Sequence, residues 1–488
     1  MSADSTVPAR YTITVEQVQK QLESINTRKA AGPDGIPSWV LKEYASILSE
    51  PLCAVFNSSL RDGFVPDLWK SADVCPVPKV PAPSILEKHL RPISLTPVLS
   101  KCLERFITDW IMDSLAPVID PHQFGSLRRS STTHALVDLV HSWHRALDSP
   151  GKMIRVLMID FSKAFDRVDH SILLQKLASL DLPKFLMRWL TSFLCQRQQR
   201  TKVGQHTSEW CHIRAGVPQG TLCGPVAFLV HINDLQTCCN ILKYVDDSSI
   251  WEVCADDGRD SKIQQAADEA AEWASNNLMK VNIDKTREMA ITFSKKYPTP
   301  APVSVNGSAI ERVMTFKLLG VTLSTDLSWG PHIDYLYRKC APRLYLLTLL
   351  KRAGVAPSDI LKIYTSMIRS VLEYACPVWH TSLTKEQSDK LESIQKRALR
   401  TIFPEKSYTE ALSTLCVDTL KQRRDHACKK LFQDMQKSDH KLHHLLPSLR
   451  DTPYDLRSNE RYPRLKAKTD RYRKSFLPFA LAHWQCDS

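Results

Sequence analysis

The stretch Lys243-Tyr244-Val245-Asp246-Asp247-Ser248-Ser249 constrains this chain more than any other. Apolar residues flank it: Ile241 and Leu242 before, Ile250, Trp251 and Val253 after. That pattern predicts a strand, a tight turn and a second strand, with two adjacent carboxylates at the turn. Successive residues of a regular strand point to opposite faces, so only a bend lets Asp246 and Asp247 approach one centre. Two anions held together repel, and a divalent cation is the usual remedy. For the pair alone a competing reading is a polar hairpin tip whose acids face water, since Asp is common in turns.

The 488 residues are too many for one compact core and suffice for two or three domains. Hydrophobic residues make up 43% and charged residues 24%, as in ordinary soluble globular proteins. No signal peptide and no membrane-length apolar run stand out, which predicts an intracellular protein, cytoplasmic or nuclear. A net charge of +13 suits a polyanion such as nucleic acid, or serves solubility only. Fourteen cysteines lie scattered without a CxxC pair, many in apolar settings such as those of Cys53 and Cys102. They are expected as reduced thiols. The late group Cys416, His426, Cys428, His440, His443 and His444 matches no common zinc spacing.

Along the chain, helices are expected from about Val15, from Ser38 through the fifties, from about Pro97 to Met112, after His134, from Ser171, from Pro225 and from about Lys262 to Leu278. Asp73 to Lys79 reads as an edge strand, because Pro76 and Pro78 exclude a central one. Arg155 to Ile159 is a short apolar strand that ends at Asp160. Val281 to Phe293 and Val313 to Leu323 read as strands. Beyond residue 330 the character turns helical. Tyr364, Met367, Ile368, Val371 and Leu372 form one apolar face; Leu391, Ile394, Ala398 and Ile402 form another, with Lys396, Arg397 and Arg400 off that stripe. Residues 450–474 hold nine Lys/Arg against four Asp/Glu, interleaved with Tyr454, Tyr462 and Tyr472. Such a segment suits single-stranded nucleic acid or disorder.

Three motifs follow one another: Leu157-Met158-Ile159-Asp160-Phe161-Ser162-Lys163-Ala164-Phe165-Asp166, then Gly216-Val217-Pro218-Gln219-Gly220, then Tyr244-Val245-Asp246-Asp247. In this order they resemble the reverse transcriptases of non-LTR retrotransposons, the LINE-type elements near the CR1 and jockey groups. Gly32-Pro33-Asp34-Gly35-Ile36-Pro37 and Leu319-Gly320-Val321 add to the resemblance, which runs from about residue 25 to the end. It implies an α+β right-hand polymerase: a leader over 1–25, fingers and palm over 26–325 with a catalytic core from about 60, a helical thumb over 326–410, and a basic C-terminal region over 411–488. The implied activity is RNA-directed DNA polymerisation, in which a primer 3′-OH is extended with dNTPs on an RNA template. A non-catalytic nucleic-acid-binding remnant of a truncated element is the rival reading.

By the same resemblance, Asp160, Asp246 and Asp247 hold two magnesium ions, for which manganese can substitute, and Phe161 lends a backbone carbonyl. Hard oxygen ligands suit magnesium, and two metals roughly 3.5–4 Å apart stabilise both the attacking and the leaving oxygen of phosphoryl transfer. Phe165 falls where the family excludes the ribose 2′-OH. Gln219 and Gly220 shape the nucleotide pocket, Lys79 and Arg91 hold the triphosphate, and Lys285 lies near the pyrophosphate. Arg128, Arg129, Lys396, Arg397 and Arg400 meet nucleic-acid phosphates, and Phe316 to Val321 resembles the primer-grip region. Plain alternatives stand beside several roles: surface charge for Lys79, Arg91 and the Lys396 group, core packing for Phe165, and a helix cap for Asp166 and, favoured, for Asp169. Ser126 and Leu127 depart from the family pattern, and His231 sits where an aromatic is common. The endonuclease domain that usually precedes this polymerase, and an RNase H domain after it, are not expected within the chain.

Overall fold

Lys152–Ile159 is buried along almost its whole length and has strand neighbours on both sides. It centres a five-stranded sheet with the order Glu311–Arg312, Arg287–Thr292, Lys152–Ile159, Asp247–Ala255 and Asn240–Tyr244. The computed structural model describes residues 7–294, 296–449 and 461–485. The chain divides into two compact units. One takes the residues up to Ser126, Asp160–Gln236 and Ala270–Asn282. The other takes Leu127–Ile159, Thr237–Glu269 and the chain from Ile283 onward, and it contains this sheet.

One buried charge, Arg155, interrupts the apolar central strand. Arg155 is buried, and its Nη2 lies 2.6 Å from Oε1 of the fully buried Glu288. Arg312 reaches the same oxygen at 2.8 Å, and Arg155 Nη2 also donates to the Ala301 carbonyl. Two guanidiniums thus compensate one buried carboxylate, which would be very costly alone.

The second unit continues as a hairpin, Thr315–Leu318 and Val321–Ser324, where the sequence predicts one strand over Val313–Leu323. Leu319 and Gly320 both take positive φ, 45° and 88°, the backbone that a two-residue turn demands. Helices follow, chiefly Gly330–Arg352 and Lys385–Ile402. Leu391, Ile394, Ala398 and Ile402 are buried, and Lys396, Arg397 and Arg400 are exposed, as their spacing requires. Met367 departs from its expected face and is exposed. A π-helical turn over Thr365–Arg369 shifts the phase there, leaving Tyr364, Ile368 and Leu372 inside.

The C-terminal segment corrects an expectation. Residues 450–460, with Tyr454, lie outside the described residues. Tyr462 and Tyr472 are buried, and the short helices Asp470–Lys474 and Phe476–His483 bury Phe476, Leu477, Ala480 and Leu481. Asp148 holds the segment by accepting the amides of Lys468 and Thr469, at 2.9 and 2.8 Å. Tyrosines packed in this way cannot serve as base-stacking platforms. Their spacing among basic residues concealed a core role.

In the first unit, Ser71–Pro78 lies between Leu90–Leu95 and Gln198–Val203. It is therefore not the edge strand its prolines suggest. Of this strand, Gln198–Val203 pairs with Ser71 to Val74, and Pro76 and Pro78 lie beyond that stretch, facing Pro92 and Leu90. The missing amides fall where the strand has one neighbour. Aromatic packing of Phe56 on Trp69 and of Trp189 on Phe193 fills the core of this unit.

Candidate active site

The hairpin expected around Asp246 is present. Tyr244 pairs with Asp247, so Val245 and Asp246 form the turn. Val245 carries φ of 61°, a backbone that β-branched residues rarely adopt and that hairpin turns usually give to Gly or Asn. Asp246 is half-buried and Asp247 exposed, while Ile241, Leu242 and Ile250 are buried in the strands behind them. Lys243, a charged residue in an apolar strand, is fully buried behind the turn. Ser248, next to Asp247, faces Ile159 across the sheet, and Asp160 is the residue after Ile159.

Within the first unit, Asp160 begins a tightly tied segment. Its carbonyl accepts the Asn282 amide at 2.8 Å, and the Ser162 amide donates to the Lys280 carbonyl at 2.8 Å. Phe161 is buried and bridges to Val281, with its ring 5.8 Å from that of Trp273. Phe165 is half-buried and stacks on Phe228, centroids 4.7 Å apart and planes at 25°. Its carbonyl accepts the Val217 amide at 2.9 Å, which joins two of the three motifs. Gly216 allows that approach, because a Cβ there would meet the Asp166 carbonyl oxygen at 2.7 Å.

The Gln219-Gly220 backbone is fixed as closely. The Gln219 carbonyl accepts the Ser94 amide at 2.8 Å, and a Cβ on Gly220 would stand 2.2 Å from the Ser94 oxygen. Gln219 Nε2 donates to Asp166 at 3.3 Å. Burial raises the Asp166 pKa, opposed by that bond and by the Lys163 and Lys79 ammoniums. Asp166 therefore faces the Gln219 loop and caps no helix. Asp169 is the cap: its carboxylate accepts the amides of Ser171 and Ile172.

Arg91 is exposed on Leu90–Leu95, where it pairs with Val77, and Lys79 is exposed just after Ser71–Pro78, its amide donating to the His89 carbonyl. Lys285 is exposed two residues before the strand Arg287–Thr292 in the second unit. Arg128 and Arg129 are exposed, and Arg129 forms an ion pair with Asp439. Lys396 lies over the Tyr408 ring at 5.5 Å, and Arg397 reaches the Tyr337 hydroxyl at 3.4 Å. His231 behaves as the aromatic it replaces: it is fully buried between Phe228 and Trp273, and burial lowers its pKa to about 4.

The sequence reading missed Glu104. This fully buried acid lies in the apolar face of Val98–Leu115. It accepts the amides of Leu222 and Cys223 at 2.7 and 3.1 Å, where Cys223–Ile232 begins. A carboxylate at a helix N-terminus satisfies orphan amides and complements the dipole. Its signal was an acid in the Cys102, Leu103, Ile107, Ile111 stripe.

A mixed helix-and-strand fold that carries these motifs is that of a polymerase, and the chain belongs to the reverse transcriptase (RNA-dependent DNA polymerase) family, which it matches over residues 77–323. It is similar to the probable RNA-directed DNA polymerase from transposon BS of Drosophila melanogaster, 28% identical over 80% of this chain and 44% of that protein. It is also similar to the RNA-directed DNA polymerase from mobile element jockey of Drosophila melanogaster, 27% identical over 80% of this chain and 44% of that protein. A third relative, the probable RNA-directed DNA polymerase from transposon X-element of the same species, is 28% identical over 77% of this chain and 42% of that protein. The chain thus spans less than half the length of these curated relatives. Among the described residues, no helix is long and apolar enough to cross a membrane.

Proposed function

We propose that this chain is the RNA-directed DNA polymerase of a non-LTR retrotransposon, extending a DNA primer with dNTPs on an RNA template. The observation that carries the reading is the pairing of Ile159 with Ser248. It makes Asp160 the successor, and Asp247 the predecessor, of two residues that face each other across one sheet. Asp160, Asp246 and Asp247 offer hard carboxylate oxygens, the donor set that suits magnesium, and Phe161 adds a backbone carbonyl. When bound there, divalent ions supply charge stabilisation to the attacking and leaving oxygens of phosphoryl transfer.

The chain's own residues do the rest. Lys79 and Arg91 bind the triphosphate, and Lys285 meets the pyrophosphate. Phe165, with its ring steadied by Phe228, lies under the sugar. Gln219 and Gly220 form the nucleotide pocket floor, which is why their backbone is so tightly pinned. Residues 26–325 act as fingers and palm, 326–410 as thumb, and 411–488 as the C-terminal region. Arg128, Arg129, Lys396, Arg397 and Arg400 bind phosphates, which fix position without reading sequence.

Primer extension on an RNA template with magnesium tests the reading. Asp246→Asn keeps the size of the side chain and removes its charge. Loss of one charge-stabilising group typically costs about 10²–10³-fold in rate. Near wild-type extension by Asp246→Asn would remove the assignment.

A further inference from the structure

Tyr374, at the end of the helical turn Ser370–Glu373, reaches the turn of the Thr315–Ser324 hairpin. Its hydroxyl donates to the Leu319 carbonyl at 2.8 Å. The same hydroxyl lies 2.8 Å from Thr132 Oγ1. A phenol has one proton, and Leu319 takes it, so Thr132 is the donor in the second bond. The ring packs on Gly320: a Cβ there would stand 2.8 Å from the ring. Tyr374 thus links the hairpin turn to Thr132, the first residue of the helix Thr132–Ala146, which follows the basic Arg128-Arg129 turn.

The backbone beneath Tyr374 is itself fixed. The Trp379 indole, fully buried, donates to the Tyr374 carbonyl at 3.2 Å. The hairpin is held elsewhere too, since the Thr322 amide donates to His332 and Lys317 to the Tyr335 hydroxyl. Tyr374 is the contact at the tip, and it remains 38% exposed. A hydroxyl that satisfies two partners at a water-facing turn contributes little to a core. It defines where the turn sits.

We propose that Tyr374 is a positioning residue for the primer terminus: it fixes the Leu319-Gly320 turn and couples it, through Thr132, to the basic Arg128-Arg129 turn. This rests on the polymerase reading above and on the resemblance of Phe316 to Val321 to the primer-grip region. Tyr374→Phe keeps the ring against Gly320 and removes both hydrogen bonds. Thr132→Val keeps the shape of Thr132 and removes one.

The full chain is bound to an RNA template and a DNA primer whose 3′-terminal base is 2-aminopurine. Fluorescence at saturating protein reports where that base sits. Single-nucleotide extension reports the rate. Both variants should melt with the wild type and keep its KM for dNTP. Their terminal-base fluorescence should change, and extension at saturating dNTP should fall about tenfold or more, since a 1 Å misplacement can cost on the order of 10²-fold. Wild-type fluorescence and rate in both variants would overturn the proposal, as would losses that merely track a lower melting temperature. A wild-type chain that extends no primer would instead remove the polymerase reading, and the fluorescence comparison would still decide the role of Tyr374.

Discussion

The buried carboxylate of Glu104 accepts the backbone amide of Leu222 at 2.7 Å, across 118 positions of sequence. One side chain thereby sets where the Val217-Pro218-Gln219-Gly220 loop ends and its helix begins. Ser100 donates to the other oxygen at 2.9 Å, so both oxygens are in use. Glu104→Ala strands two amides and one hydroxyl, and an unsatisfied buried group costs about 1–3 kcal/mol. A loss of about 3 kcal/mol or more in urea denaturation is expected, together with slower extension. Unchanged stability would show that water replaces the carboxylate.

Phe165 separates two roles by measurement. Overpacking a tight site typically costs about 1–3 kcal/mol, and 1.4 kcal/mol is about a factor of ten in rate. As a steric gate, Phe165→Val should admit ribonucleotides at least about tenfold better relative to deoxynucleotides. As a packing partner of Phe228 only, it should slow both substrates alike and lower stability. Competition between the two nucleotide types decides.

Acid should destabilise the fold through histidines. Burial lowers the pKa of His144 to about 3 and of His141, His231 and His332 to about 4. Each binds its proton less readily folded than unfolded, so stability is lost as pH falls from about 6.5 toward 4 and is complete above that window. His231 alone accounts for a loss on the order of 3 kcal/mol across it. His231→Phe should reduce the slope of stability against pH between 4 and 6.5. An unchanged slope would mean that His231 keeps its proton in the fold.

Salt should weaken template–primer binding through Lys396, Arg397 and Arg400. The logarithm of affinity falls by about 0.9 per duplex phosphate neutralised for each unit of the logarithm of salt concentration. Replacing all three with Ala should flatten that slope by roughly two to three units. A slope equal to that of the wild type would return these residues to a plain wet helix face.

Much of the fold around these motifs is legible in the sequence. The Asp246 hairpin needs only an apolar-flanked turn, and the strand before Asp160 only an apolar run, so local pattern sufficed for both. Asp169 capped as its position required. What the pattern could not carry was long-range. Pro76 and Pro78 argue for an edge strand until it is known where Gln198–Val203 stops pairing. Tyr462 and Tyr472 look wet among their basic neighbours until the helix Thr132–Ala146 is seen beside Tyr472, whose ring lies 5.9 Å from that of His141. The π-helical turn at Thr365–Arg369 alters a periodicity that sequence reading assumes constant. Glu104 and Tyr374 act through partners more than fifty positions away, and nothing near them in sequence names those partners.

The bond between Asp148 and Thr469 spans 321 positions. A ribosome therefore delivers the central strand Lys152–Ile159 and the Asp246 hairpin long before the residues that finish the unit they belong to. During that interval the face meant for Tyr472, Phe476 and Leu477 is open to chaperones and proteases. A message broken upstream of residue 461 would yield Asp160, Asp246 and Asp247 in a chain that cannot close its core. The C-terminal segment in this way makes translation through residue 485 a condition for a stable fold.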